Sequence, residues 1–376
     1  MNNRTEQSST VEPAGFFSCY VAPLWVIPLL LCALGLLMIT SVSSQTELGE
    51  EAGRLFFTLR QLQWVGLGLA GMFVFSHMPV AFLARSSGVL WFGSVVFMVL
   101  TVLPGLGLHG GGAARWIRFG GVSLQPSEML FFFFAVHLSR KLRGDRAITP
   151  RHAFGRTMLL AGFSLWPFLL QPDYGGAMVL FLLSMGIYVQ VYGWKWPLSA
   201  GAAIMGFFFL PVLFLRGYRI DRIKAFVDPW SDPTGRGFQT IQGLISFANG
   251  KLLGVGVGKG LQKMHYLPAA HTDFILAALG EETGLLGTGT VLVLFSMWFS
   301  LLFFWYARMN DPFQCTLLWA VAVSTALPVL VNMGGILRII PLTGIPLPFI
   351  SYGGSSMLFM WCRVGLALRL VRGKAA

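Results

Sequence analysis

Residues 22–41 read APLWVIPLLLCALGLLMITS, twenty residues without one charge. A helix crossing a bilayer needs about 20 such residues. Stretches of the same kind recur at 61–78, 86–105, 128–140, 156–170, 175–192, 197–215, 272–306, 314–337 and 350–370. The stretch 128–140 is short and is expected to begin before Glu128. The stretch 272–306 is overlong, and Gly284 and Gly287 mark a break or a tilted continuation. Composition agrees: 55% of the 376 residues are apolar and 11% charged, where soluble domains carry about 25% charged residues. Disorder, a disulfide scaffold and an ordinary soluble enzyme are excluded. Long apolar runs also exclude a strand-built barrel, which alternates. The expected fold is all-α: a polytopic membrane protein of about ten transmembrane helices with one large extracytoplasmic loop, 216–271. Residues 1–15 read as a polar, disordered cytoplasmic tail, and 16–376 as a single membrane domain. Cys19, Cys32, Cys315 and Cys362 form no C-x-x-C pair and read as core or lipid-facing residues.

The net charge is +12. An even number of spans puts both termini on one side. The loop carrying Arg140, Lys141, Arg143, Arg146, Arg151 and Arg156 lies on that side, as do Arg369, Arg372 and Lys374, which makes it the cytoplasm. The loop 216–271 breaks the pattern. It holds Arg216, Arg219, Arg222, Lys224, Arg236, Lys251, Lys259 and Lys263 against Asp221, Asp228 and Asp232. Long loops escape the orientation rule, so tolerated charge is one reading. The other is a basic bowl over the membrane for a phosphate-bearing substrate. An external face excludes nucleic acid.

A charge at membrane depth costs about 2.5–3.5 kcal/mol and needs a reason. The carboxylates so placed are Glu128, Asp173, Asp273, Glu281 and Glu282. Asp273 follows Leu267-Pro268-Ala269-Ala270-His271-Thr272. His271 or Thr272 is expected to cap the next helix, with Asp273 in its first turn, where the helix N-terminus keeps a carboxylate ionised. Such a group could act as a general base, and a helix-starting Asp serving the dipole alone is the competing reading. Glu281 shares the Asp273 side of the helix about 12 Å along it, wider than the carboxylate pairs of glycosidases. A metal or buried-pair role stays open for it. Asp173 is an N-cap candidate and Glu128 a first-turn charge, and either could instead face a cavity between helices. Gly254 to Gly260 lacks the spacing of a phosphate loop and reads as a turn whose N–H groups face a ligand. Residues 238–248 read as an amphipathic helix lying on the membrane surface or, nearly as well, as a plain loop helix. Pro341, Pro346 and Pro348 break the chain before Ser351 to Ser356, leaving donors and hydroxyls at membrane depth. No His or Cys spacing suits zinc.

Several of these segments together resemble one family, the bacterial shape, elongation, division and sporulation (SEDS) proteins. They are Gly112-Ala113-Ala114-Arg115-Trp116-Ile117, Gln125 to Glu128, Gln171 to Gly175, His271 to Ile275, Gly280-Glu281-Glu282, and Pro346 to Ser355. Residues 239–287 look closer to the FtsW division branch than to the RodA elongation branch, and a sporulation paralogue is also compatible. The resemblance implies a peptidoglycan glycosyltransferase that polymerises lipid II, with Asp273 as the general base acting on the GlcNAc 4-hydroxyl. Arg115, Lys251, Lys259 and Lys263 are expected to stabilise developing negative charge. Glu128, Asp173, His271, Glu281, Ser351 and Ser355 complete the expected substrate-binding set. The implied partners are a class B penicillin-binding transpeptidase and other division proteins, in the inner membrane at the septum with both termini cytoplasmic. A divalent cation (Mg or Mn) would aid pyrophosphate departure, though no motif fixes a metal site. A lipid II flippase and a non-catalytic scaffold for the transpeptidase are the alternatives.

The resemblance has two departures. Family members usually carry Lys three residues after the Glu of Gln-Pro-Ser-Glu, where this chain has Phe131. Arg338 stands where many have a small or uncharged residue, and it is expected to supply the missing positive charge.

Overall fold

The computed structural model describes residues 21–43, 55–103, 107–110, 113–119, 122–143, 148–199, 224–235, 237–261 and 270–375. The tail 1–15, the span expected at 197–215 beyond residue 199, Arg216, Arg219, Arg222, Arg236 and Lys263 lie outside these residues.

The chain is helical. Among the described residues ten long helices run α1 (Pro23–Ser43), α2 (Phe56–His77), α3 (Val80–Leu100), α4 (Pro126–Lys141), α5 (Pro150–Leu170), α6 (Tyr174–Tyr192), α7 (Phe238–Gly250), α8 (Ile275–Tyr306), α9 (Pro312–Ile336) and α10 (Gly354–Ala375). Among the described residues, seven are long and apolar enough to span a bilayer: α1, α3, α5, α6, α8, α9 and α10. Many large apolar side chains on these helices face outward, among them Leu30, Val89, Leu159, Leu286 and Val293. That is the surface of a protein whose solvent is lipid. Helix α4 has 16 residues, a rise of about 24 Å. Every residue from Pro126 to Ser139 except the half-buried Met129 is buried, so it is packed on all sides by protein.

Two apolar cores meet along α4 and α9. Phe132 and Phe133 join α1, α2, α8 and α10 in one. Phe131 and Phe134 join α3, α5 and α6 in the other. Four consecutive phenylalanines can serve both because successive residues turn about 100° around a helix. Helices α2 and α10 pack closely at small residues. A Cβ on Gly68 would strike the Trp361 ring, and one on Gly365 would strike the backbone of Met72. Without a hydrophobic drive between helices in lipid, such close van der Waals approach holds them together. Indole donors add cross-helix bonds, Trp298 Nε1 to Leu24 O (2.9 Å) and Trp319 Nε1 to Gly186 O (2.8 Å).

Helix α7 packs one face on protein. Its Thr240, Ile241, Gly243, Ser246 and Gly250 are buried, and it packs against α8, where Gly243 meets Phe274 and Gly250 meets Gly280. The small residues on its inner face allow that approach.

A three-stranded antiparallel sheet precedes α4, with order β1 (Gly107–Gly110), β2 (Ala113–Phe119), β3 (Val122–Leu124). Half of the four residues of β1 are glycine and β3 has three residues, so neither shows alternation in the sequence. Leu108 faces Trp116 but His109 faces Ala114, so Arg115 is the extra residue of a β-bulge. A bulge turns its residue out of the ordinary alternation, and here both Arg115 and Trp116 reach one cavity.

Candidate active site

A cavity of about 260 Å³ opens where β2, α4, α6, α9 and the segment before α10 converge. Arg115, Glu128, Asp173 and Asp273 all line it, with Phe131, Ser356 and the backbone of Thr343 to Pro346. Four of the expected site residues, from four separate regions of the sequence, are brought together.

Asp173 caps α6, its Oδ1 accepting from Gly176 N (3.3 Å). The same oxygen pairs with Arg115 Nη2 at 3.3 Å. The two readings of Asp173, cap and cavity wall, therefore hold together. Arg115 Nε has no hydrogen-bond partner among the described residues. Glu128 sits in the first turn of α4 and faces Arg363 Nη2 across 3.8 Å.

Asp273 stands ahead of α8, not within its first turn, and the cap position is Phe274 with no side-chain bond. The reason lies in three successive carbonyls. His271 O accepts from Tyr352 N (2.9 Å), Thr272 O from Ser351 Oγ (2.7 Å) and Asp273 O from Asn332 Nδ2 (2.9 Å). Each is taken by a partner outside α8, so regular helix bonding starts only at Phe274 O, which accepts from Ala278 N. The turn 270–274 is thus fixed by α9 and by the segment before α10. Opposite it Gly344 has φ +73, and a Cβ there would come within 3.3 Å of Asp273 Oδ2. The glycine lets the backbone pass close to the carboxylate.

The remaining candidates separate from the cavity. Ser351 is buried and structural: its Oγ bonds Thr272 O and accepts from Leu347 N (2.8 Å). Ser355 accepts from Gln125 N (2.8 Å), tying α10 to the start of α4. His271 packs between Phe57 and Tyr352, with ring centroids 5.0 and 5.8 Å away. Burial lowers its pKa from the usual imidazole range. Lys251 and Lys259 are exposed and do not line the cavity.

Glu281 and Glu282 are buried and bind the glycine loop. Glu281 Oε1 accepts from Leu261 N (3.2 Å) and Asn249 Nδ2 (3.3 Å). Glu282 accepts from Gly258 N (2.9 Å) and from Ser41 Oγ (2.7 Å). The loop N–H groups of Gly258 and Leu261 are therefore taken by carboxylates of this chain. Glu281 thus fills the buried-pair role left open for it, and these two loop N–H groups face protein.

Arg338 does not supply the missing charge. It has φ +57, and its Nη2 donates to Phe226 O (2.9 Å) and Val227 O (3.4 Å). It anchors that segment, away from Glu128. The cation beside Glu128 is Arg363, which the sequence reading passed over. A charge in the apolar stretch 350–370 was the available signal. Gln61 and Asn332 were missed too, and both are buried amides in apolar helices. Gln61 Nε2 donates to Ser351 O (3.2 Å) and its Oε1 accepts from Gly353 N (3.3 Å).

That double bond sets an expectation for Gln61→Leu. It strands a buried carbonyl and a buried N–H, each costing about 1–3 kcal/mol. The thermal midpoint of the purified protein, followed by tryptophan fluorescence in detergent, is expected to fall by several degrees. An unchanged midpoint would remove Gln61 from the support of this turn.

Among the described residues no three His, Cys, Asp or Glu side chains are grouped to hold a metal ion. Glu128 and Asp173 each already face an arginine. Among the described residues these side chains do not make a metal-ligand set.

The comparisons follow the same outline. The profile of a family described as cell cycle protein, spanning FtsW, RodA and SpoVE, matches residues 22–375. A Halorhodospira halophila protein named probable peptidoglycan glycosyltransferase FtsW is 36% identical over 341 residues, 89% of this chain and 86% of that one. A Coxiella burnetii protein of the same name is 33% identical over 353 residues, 92% and 95% of the two chains. A chain from a structure described as coordinating polymerization and crosslinking in a peptidoglycan synthase complex superposes with TM-score 0.76 at 27% identity. It covers 93% of this chain and 97% of that one. The rod shape determining protein RodA of Thermus thermophilus shares the fold, with TM-score 0.69 and 24% identity over 93% and 96%. The chain belongs to the FtsW/RodA/SpoVE family of cell cycle proteins.

Proposed function

We propose that this membrane protein is a peptidoglycan glycosyltransferase that polymerises lipid II, with Asp273 as general base. The observation that carries the proposal is the meeting of Asp273, Asp173, Glu128 and Arg115 in one cavity. Names of relatives about one-third identical over most of their length point the same way.

In this reading the Asp273 carboxylate takes the proton of the GlcNAc 4-hydroxyl on the acceptor. That oxygen attacks the MurNAc anomeric carbon of the donor, and the new glycosidic bond forms with inversion. The bond from the anomeric carbon to the phosphate oxygen breaks, and its electron pair leaves with undecaprenyl pyrophosphate. The Arg115 guanidinium, at the cavity wall, offers a donor to the departing diphosphate, whose charge develops in the transition state. The partner in this reading is a class B penicillin-binding transpeptidase, with other division proteins. The likeness to a chain of a peptidoglycan synthase complex supports a crosslinking partner. The site is the inner membrane at the septum, both termini cytoplasmic.

The test is purified full-length chain, with and without the cognate transpeptidase, incubated with lipid II in detergent. Glycan strands resolved by gel support polymerisation. No strands under either condition, with lipid II flipping intact in vesicles, would overturn it in favour of transport.

A further inference from the structure

We propose that Arg363 is the charge partner that holds the Glu128 carboxylate at the cavity wall, a positioning residue for the reaction above. The inference rests on that reading.

Arg363 lies on α10 between Cys362 and Val364 and is 1% exposed. A guanidinium so placed in an apolar helix needs a partner. Nη2 lies 3.8 Å from Glu128 Oε2, and Nη1 is 3.1 Å from the sulfur of Met360. Nε has no partner among the described residues. The pair is close enough for charge neutralisation and longer than a direct hydrogen bond. Glu128 thus keeps acceptor capacity toward the cavity that it lines.

Alternative charge partners are few. Arg115 is the sole cation among the described cavity residues, and it is committed to Asp173. Arg338 is bound to the carbonyls of Phe226 and Val227. On α4 itself, the position one turn after Glu128 is Phe131. It lines the same cavity and stacks on Phe168 with centroids 5.8 Å apart. The helix that carries Glu128 therefore offers no cation where i,i+3 spacing would place one. The charge comes instead from α10, beneath the cavity. Glu128, which the Ser356 hydroxyl also bonds, is then a fixed acceptor for a substrate hydroxyl, and Arg363 acts only through it.

The test moves the charge. Arg363→Ala is expected to lower polymerisation by about a hundredfold, because a buried carboxylate loses its counter-ion. Adding Phe131→Lys puts an ammonium one turn from Glu128 and should restore at least about tenfold of that loss. Arg363→Lys should retain more activity than Arg363→Ala. A second readout needs no substrate. The thermal midpoint should fall in Arg363→Ala and recover in Arg363→Ala/Glu128→Gln, where no buried charge is left alone. If Arg363→Ala cannot be purified, recovery of soluble protein by the added Glu128→Gln supports the pairing. The inference is overturned if Arg363→Ala polymerises like wild type, if Phe131→Lys gives a folded protein without rescue, or if Glu128→Gln restores neither midpoint nor yield. Inactive wild-type protein would overturn the proposed function instead, and the thermal comparison would still judge the pair.

Discussion

Asp273→Asn is expected to abolish glycan polymerisation while leaving the protein folded. The substitution removes the proton acceptor and keeps the shape. It spares the backbone carbonyl that accepts from Asn332 Nδ2 at 2.9 Å, so the turn 270–274 keeps its anchor. Loss of a positioned general base lowers rate by about 10²–10⁴-fold. The rate from purified Asp273→Asn with lipid II should fall in that range, with a thermal midpoint within about a degree of wild type. Asp273→Glu should fall between the two, because a longer side chain meets the Gly344 backbone, already close to Asp273 Oδ2. Lipid II binding, followed by retention of labelled substrate, should survive in Asp273→Asn, since Arg115 and Asp173 remain. A variant as fast as wild type would end the assignment of Asp273 as base. A variant that binds no lipid II would move its role from proton transfer to recognition.

The spans were legible because depth in a bilayer is written as runs of apolar residues, and helices stand over the described parts of those runs. The break at Gly284 was legible for a related reason, since a glycine inside an overlong span has few other uses. Partners were not legible. Glu281 and Glu282 read as charges at depth, which is correct, but hydropathy carries no record of what a carboxylate faces. The glycine loop they bind lies 20 or more residues earlier in the chain. Lys251 and Lys259 read as part of a basic bowl because charge was counted per loop, and that count does not tell which cations line the cavity. Asp273 was found by the segment around it, yet its place ahead of α8 depends on Ser351, Tyr352 and Asn332, distant residues that take its neighbours' carbonyls. Arg363 was missed because only carboxylates were asked to account for their depth. The same energetic question put to cations would have found it.

Gly284→Ala is expected to be the most damaging single substitution at the seam between α8 and the glycine loop. Gly284 has φ 68 and ψ −161 inside α8, a region that only glycine enters readily. The break frees four backbone groups, and the loop takes all four. Leu285 N donates to Lys251 O (2.9 Å) and Leu286 N to Leu252 O (3.2 Å). Val255 N donates to Glu281 O (3.0 Å) and Gly256 N to Glu282 O (3.0 Å). In an unbroken helix, 285 and 286 would bond 281 and 282 directly. A Cβ at 284 would overlap Gly254 N and Leu252 O, so alanine cannot keep both the kink and the loop. Either the strain is retained, at about 3 kcal/mol or more with the overlap, or α8 straightens. Straightening closes the helical bonds, expels residues 251–256 and removes the partners that Gly258 and Leu261 find on Glu282 and Glu281. Purified Gly284→Ala should therefore show a lowered thermal midpoint, together with faster proteolytic cleavage or hydrogen exchange confined to residues 251–261. A variant with the wild-type midpoint and a protected loop would mean that α8 tolerates a side chain at its break, and that the exchange of bonds with the loop does not hold this part of the fold.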